Sequence, residues 1–87
     1  RTWPWHWLPP RRRYYLTYPP QLVQEPVIHR LAQRFRVVTN VRSATVSSGI
    51  GVVALELEGE DDEIDRAIEY LQGIGVKVDP IEQNVVE

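Results

Sequence analysis

The chain has 87 residues, a formal charge of −2, no cysteine and no methionine, and 43% of its residues are hydrophobic. This length holds one domain and an appendage; so short a chain buries only about 60% of its unfolded surface and relies on close packing or a partner. With no cysteine, disulfides, thiolate zinc and iron–sulfur clusters are excluded, and His6 and His29 stand too far apart for a metal site, so no metal or other cofactor is expected.

The charge is unevenly spread. Residues 1–36 carry seven arginines against Glu25 alone, whereas residues 37–87 carry three cations against eleven acids. Such a split points to a basic arm and a solvated acidic helix, or to self-association through complementary charge. No apolar run is long enough to cross a bilayer, nothing resembles a signal peptide, and a reducing, cytoplasmic setting is expected. A chain that opens Arg-Thr without methionine is expected to be trimmed, processed or recombinantly defined at its N-terminus.

Residues 1–13, RTWPWHWLPPRRR, read as an arm. Pro4, Pro9 and Pro10 prevent a helix and favour extended backbone. In that conformation Trp3, Trp5 and Trp7 project the same way, followed by Arg11, Arg12 and Arg13. Tryptophan and arginine are enriched in binding hot spots, and the six are the candidate partner-binding residues. The arm would fold back on its own domain or exchange in a dimer, dock a larger protein complex, or rest peripherally on an anionic membrane surface.

The domain is expected over residues 14–81. Tyr14-Tyr15-Leu16-Thr17-Tyr18 reads as a short strand ended by Pro19-Pro20. Pro26 suits a first helical turn, and Val27, Ile28, Leu31, Ala32 and Phe35 recur at helical spacing, leaving His29 on the surface. Residues 37–46 alternate as a strand, with Val37, Thr39, Val41, Ser43 and Thr45 on one side and Val38, Asn40, Arg42, Ala44 and Val46 on the other. Ser47-Ser48-Gly49 supplies a turn, and residues 52–58 form the returning strand with Val53, Leu55 and Leu57 toward the core.

Glu60-Asp61-Asp62-Glu63 opens a second helix, acids meeting its unpaired N–H groups. Ile64, Ala67, Ile68 and Leu71 form its apolar stripe. Gly73 is expected in the left-handed capping position with Ile74 as its hydrophobic companion. Residues 76–79 make a last strand that Pro80 confines to a sheet edge, and residues 82–87 read as a tail.

The order βαββαβ predicts an α+β, ferredoxin-like fold: a four-stranded antiparallel sheet with both helices on one face. The other face would present Tyr15, Thr17, Val52, Ala54 and Glu56. It is too apolar for full solvation, so a homodimer through this face or an edge strand is expected. Nucleic acid is excluded as its partner. Across Ser48–Leu55 the glycines of an RNA-recognition motif recur, but its stacking rings are aliphatic here, and each lost ring forfeits about 1–3 kcal/mol per base.

Two stretches, YLTYPPQLVQEPVIHRLAQRFRVVTNVRSATV and GVVALELEGEDDEIDRAIEYLQGIGVKV, together resemble the NIL domain. The resemblance spans about residues 14–79 and rests on Glu25-Pro26-Val27-Ile28, on Leu31-Ala32 with Phe35, on Asn40, and on VVALELEG running into an acidic helix. NIL domains stand at the C-terminus of the ATPase subunits of bacterial methionine importers and in small stand-alone bacterial proteins, cyanobacterial ones among them. The resemblance implies a ferredoxin-like regulatory domain that pairs, senses methionine and inhibits uptake, with the motif asparagine at the ligand site.

Asn40 is the residue this carries over, and Thr39 and Arg42 beside it complete the candidate ligand-binding set for an amino-acid-like molecule. A half-buried asparagine offers both donor and acceptor to such a ligand, while an asparagine that merely stabilises a strand edge or turn is the plain alternative. The motif's Asn-Ile-Leu reads Asn40-Val41-Arg42 here, and the following turn is shorter than in the importers. Arg42 suits a ligand carboxylate or Glu56 across the hairpin. No nucleophile–base pair and no Gly-rich phosphate loop is present, so no catalytic residues are assigned and an enzyme is not expected. A ligand-sensing homodimer and a protein-docking module remain as the two functional classes.

Overall fold

The computed structural model describes residues 10–81. The expectations for Trp3, Trp5, Trp7 and His6, and for the tail at 82–87, lie outside those residues. Seven elements follow in order: β1 (Arg11–Tyr18), a single 3-10 turn (Pro20–Leu22), α1 (Val27–Arg34), β2 (Val38–Ser47), β3 (Ile50–Glu58), α2 (Asp61–Gly73) and β4 (Lys77–Pro80). The strands form one antiparallel sheet in the order β2-β3-β1-β4. This is the ferredoxin-like arrangement expected from the βαββαβ order. Among the described residues no helix is long and apolar enough to cross a membrane.

The core lies between the sheet and the helices. Tyr14, Leu16 and Tyr18 of β1 and Val53, Leu55 and Leu57 of β3 enter it, meeting Val27 and Leu31 of α1 and Ile64, Ala67 and Leu71 of α2. The period of two on the strands and of three to four on the helices brings these positions together. Ala32, placed on the apolar stripe of α1 by spacing, is exposed, and Phe35 caps the helix and packs tilted against Tyr70 with ring centroids 5.6 Å apart. Pro26 is the N-cap rather than a residue of the first turn, and His29 is on the surface.

Three local expectations are corrected. β1 begins at Arg11, because Arg11–Arg13 pair with Glu58, Leu57 and Glu56 of β3; the polar run reads as an arm but hydrogen-bonds as a strand. The strict alternation of β2 breaks at a bulge between Val41 and Ser43, where Arg42 is the extra residue. Before it Asn40 faces away from the helices; beyond it Ser43 and Thr45, paired with Ala54 and Val52, do so too. The third correction is the end of α2. Gly75, not Gly73, holds the positive φ (107°); Gly75 N–H donates to Gln72 C=O and Val76 N–H to Leu71 C=O. That is the Schellman pattern, with buried Val76 meeting buried Leu71, and it leaves Ile74 outside at 36% exposure.

The hairpin turn forms where expected, with Ser48 and Gly49 both at positive φ (54° and 78°). β4 is an edge strand that stops at Pro80. On the sheet face away from the helices, Tyr15 and Val52 are exposed as expected, joined by Val38 and Ile50. Ala54 and Glu56 point to that face yet are buried, since both sit on the inner strand β3 between flanking side chains.

Candidate functional site

The register of the sheet assembles a charged patch at one end of this face. Glu56 lies across from Arg13 on one side and Asn40 on the other, and Glu58 lies across from Arg11 and Val38. Arg42, at the bulge, lies on the same face, and its Nη1 stands 3.5 Å from Glu56 Oε1. Arg13 Nε is 3.7 Å from Glu56 Oε2, and Arg11 Nε is 3.9 Å from Glu58 Oε1. The Glu56 carboxylate is therefore held between two guanidiniums, which is what permits a charge at 7% exposure on the inner strand.

A groove of about 290 Å³ runs along this patch, lined by Val38, Asn40, Arg42, Glu56, Glu58 and Arg11. Asn40 and Arg42 thus meet as the sequence suggested, and the Arg42–Glu56 pair across the hairpin is present. Asn40 is exposed rather than half-buried, because β2 is an edge strand. Thr39 touches the groove but stands opposite Leu57, which directs its side chain toward the helix layer. Sequence reasoning missed Glu56, Glu58, Arg11 and Arg13 as members of one cluster. The signal was there in alternation: RRR and ELE pair with every second charge on one face.

Arg12, the middle arginine of the three, points the other way. Its Nη2 donates to Asp61 Oδ1 and its Nη1 to Asp65 Oδ1, both at 3.0 Å, with further bonds to the Asp61 carbonyl and Tyr14 hydroxyl. The basic strand and the acidic helix thus neutralise one another in part within the chain. At the same end of α2, Glu63 accepts the Arg36 backbone N–H at 2.7 Å and pairs with Arg66. The Arg36 N–H first, then Arg66, hold the Glu63 carboxyl below its usual range. Among the described residues no cluster of three metal-ligating side chains occurs.

What this arrangement can do chemically is bind. It offers guanidinium donors, carboxylate acceptors and one amide beside each other. The NIL domain family model matches residues 12–80. The chain belongs to the NIL-domain family. The uncharacterized protein ssr2439 of Synechocystis sp. is 33% identical to this NIL domain over 66 residues, covering 74% of this chain and 68% of that protein. Among solved structures, the C-terminal domain of an ABC transporter / ATP-binding protein from Enterococcus faecalis superposes with a TM-score of 0.72 at 21% identity, covering 84% of this chain and 86% of that one. At that identity the likeness establishes the shared fold. The family match begins at Arg12, inside β1, and so takes in Arg12 and Arg13, two of the three arginines that composition had grouped with the arm.

Proposed function

We propose that this NIL domain is a non-catalytic regulatory module that binds an amino-acid-like ligand, with methionine the first candidate, and works as a cytoplasmic homodimer. The observation that carries the reading is the groove in which Asn40, Arg42, Glu56 and Glu58 meet on the face that the helices leave open. An α-amino acid presents an ammonium and a carboxylate a few ångströms apart. Glu58 and Arg42 are matched to those charges, and Asn40 supplies donor and acceptor to either. Membership of the NIL family, and a fold shared with the C-terminal domain of an ABC transporter ATP-binding protein, support a regulatory role within a larger assembly.

Thermal denaturation against a panel of amino acids tests it. Methionine at 100 times its Kd adds about 2.7 kcal/mol to stability, and Asn40→Ala abolishes the response while melting normally without ligand. Flat melting across the panel would overturn the ligand reading. The exposed row Tyr15, Ile50 and Val52 favours a second reading, in which the open face docks a larger protein together with the N-terminal Trp/Arg arm. In that case capture of a partner is lost on charge substitution of the row and untouched by Asn40→Ala.

A further inference from the structure

A second cleft lies on the other side of Glu56, where β1 outruns β4. β4 stops at Pro80, while β1 continues to Arg11. Beyond Pro80 one bond continues that ladder, from Ile81 N–H to Arg13 C=O at 2.9 Å. In an antiparallel pair the N–H and C=O of one residue face the same neighbour, and residues two apart face the same side. The N–H of Arg13, and both backbone groups of Arg11, therefore point to the β4 side. Among the described residues no strand stands opposite Arg11 on the β4 side, and no bond returns from Arg13 N–H to Ile81.

The side chains add to this. Arg11 and Arg13 project onto the open face, and their acidic neighbours stand at 3.9 and 3.7 Å, beyond hydrogen-bonding distance. Among the described residues neither guanidinium donates a hydrogen bond, so their fork-shaped donor sets remain to be filled. Among the described residues Glu56 is the one acid lining the cleft, and it already lies between Arg13 and Arg42. The opposite wall is apolar, made by Pro80 and Ile81 with Tyr14 beneath, and the cleft measures about 350 Å³. That is within the size range of small-molecule sites, about 300–1,000 Å³.

We propose that this cleft is a binding site for a small monocarboxylate with a short apolar tail, adjoining the Asn40 groove, with which it shares Arg11 and Glu56. The carboxylate accepts from the Arg13 and Arg11 guanidiniums, whose planar forks suit a carboxylate better than a spherical anion. The tail covers Pro80 and Ile81. Glu56 excludes dicarboxylates of similar length by placing a like charge on the far side.

Titration of the isotopically labelled full chain with sodium butyrate, followed by amide NMR at constant ionic strength, tests the site. Butylammonium chloride, butanol and sodium chloride serve as controls. Butyrate is expected to give saturable shifts at the Arg11, Arg13 and Ile81 amides that none of the controls reproduces. Arg13→Gln and, separately, Arg11→Gln are each expected to weaken it about tenfold, and Asn40→Ala to leave it unchanged while removing any methionine response. Arg13 lines this cleft and not the Asn40 groove, so its variant separates the two sites, while Arg11, which lines both, keeps the test independent of the Arg13–Glu56 pair. Shifts that fail to saturate, that butanol reproduces, or that persist equally in both arginine variants overturn the proposal, whatever the groove does with methionine.

Discussion

Tyr18 ends β1 inside the core, and among the described residues its hydroxyl has no hydrogen-bond partner. Burial pushes this phenol's pKa up, since the charged form has no solvent there. A buried hydroxyl left unpaired costs about 1–3 kcal/mol, whereas the ring beneath it packs normally. Tyr18→Phe is therefore expected to stabilise the domain by about 1 kcal/mol, raising Tm by about 4–8 °C; an unchanged or lower Tm in calorimetry would mean that the hydroxyl is satisfied. Glu63 shows the opposite economy. The Arg36 backbone N–H and Arg66 lower its pKa in the folded chain, so its contribution is complete above the ordinary carboxylate range and disappears as pH falls through the folded value. Glu63→Gln is expected to be less stable than the parent at neutral pH, with the gap closing below about pH 4. Denaturation midpoints measured from pH 7 down to pH 2 check the sign, and a gap that widens in acid contradicts it.

At the scale of elements, the end of α2 separates two glycines that look equivalent in the sequence. Gly75 sits at φ 107°, where a side chain is strained, while Gly73 is helical and an added Cβ there meets nothing within 4 Å. Gly75→Ala is expected to cost about 1 kcal/mol or more, and Gly73→Ala to gain about 0.5 kcal/mol. Urea midpoints of the pair decide it, and equal shifts would contradict the cap assignment. The elements themselves were legible because Val53, Leu55 and Leu57, or Ile64, Ala67 and Leu71, repeat with periods that only one secondary structure satisfies. Their ends and irregularities were not. Either glycine of Gly73-Ile74-Gly75 satisfies a cap pattern, and the choice falls to whichever following residue reaches the core; Val76 does and Ile74 does not. The bulge at Arg42 left no local mark, since both halves of β2 alternate correctly and only their phase differs. That phase decides what the far half of β2 presents, because without the extra residue Ser43 and Thr45 would lie on the helix side with Thr39.

For the whole molecule, a sheet roofed on one side leaves its other side to be accounted for. Near Arg11, Arg13, Arg42, Glu56 and Glu58 that face is charged, and toward the hairpin it is apolar, with Tyr15 at 48%, Ile50 at 45% and Val52 at 39% exposure. The apolar end has no charge across residues 14–18 of β1, 43–47 of β2 or 50–55 of β3, and in β4 Lys77 and Asp79 stand beside it as a pair of opposite sign. Two copies related by a two-fold axis would cover it without bringing like charges together, whereas in isolation it leaves large side chains in water. Placing one charge at its centre separates assembly from folding. Val52→Asp lies on the exposed side of β3, so the core beneath it, Val53 and Leu55, is undisturbed. The expected outcome is loss of the proposed dimer in sedimentation equilibrium, with the circular dichroism spectrum retained. Asn40→Ala, at the charged end of the same face, is expected to leave the dimer intact. If Val52→Asp sediments as the parent does at every concentration, the apolar end is not the interface between copies, and the edge of β2, with Val46 at 65% exposure, is the next surface to charge.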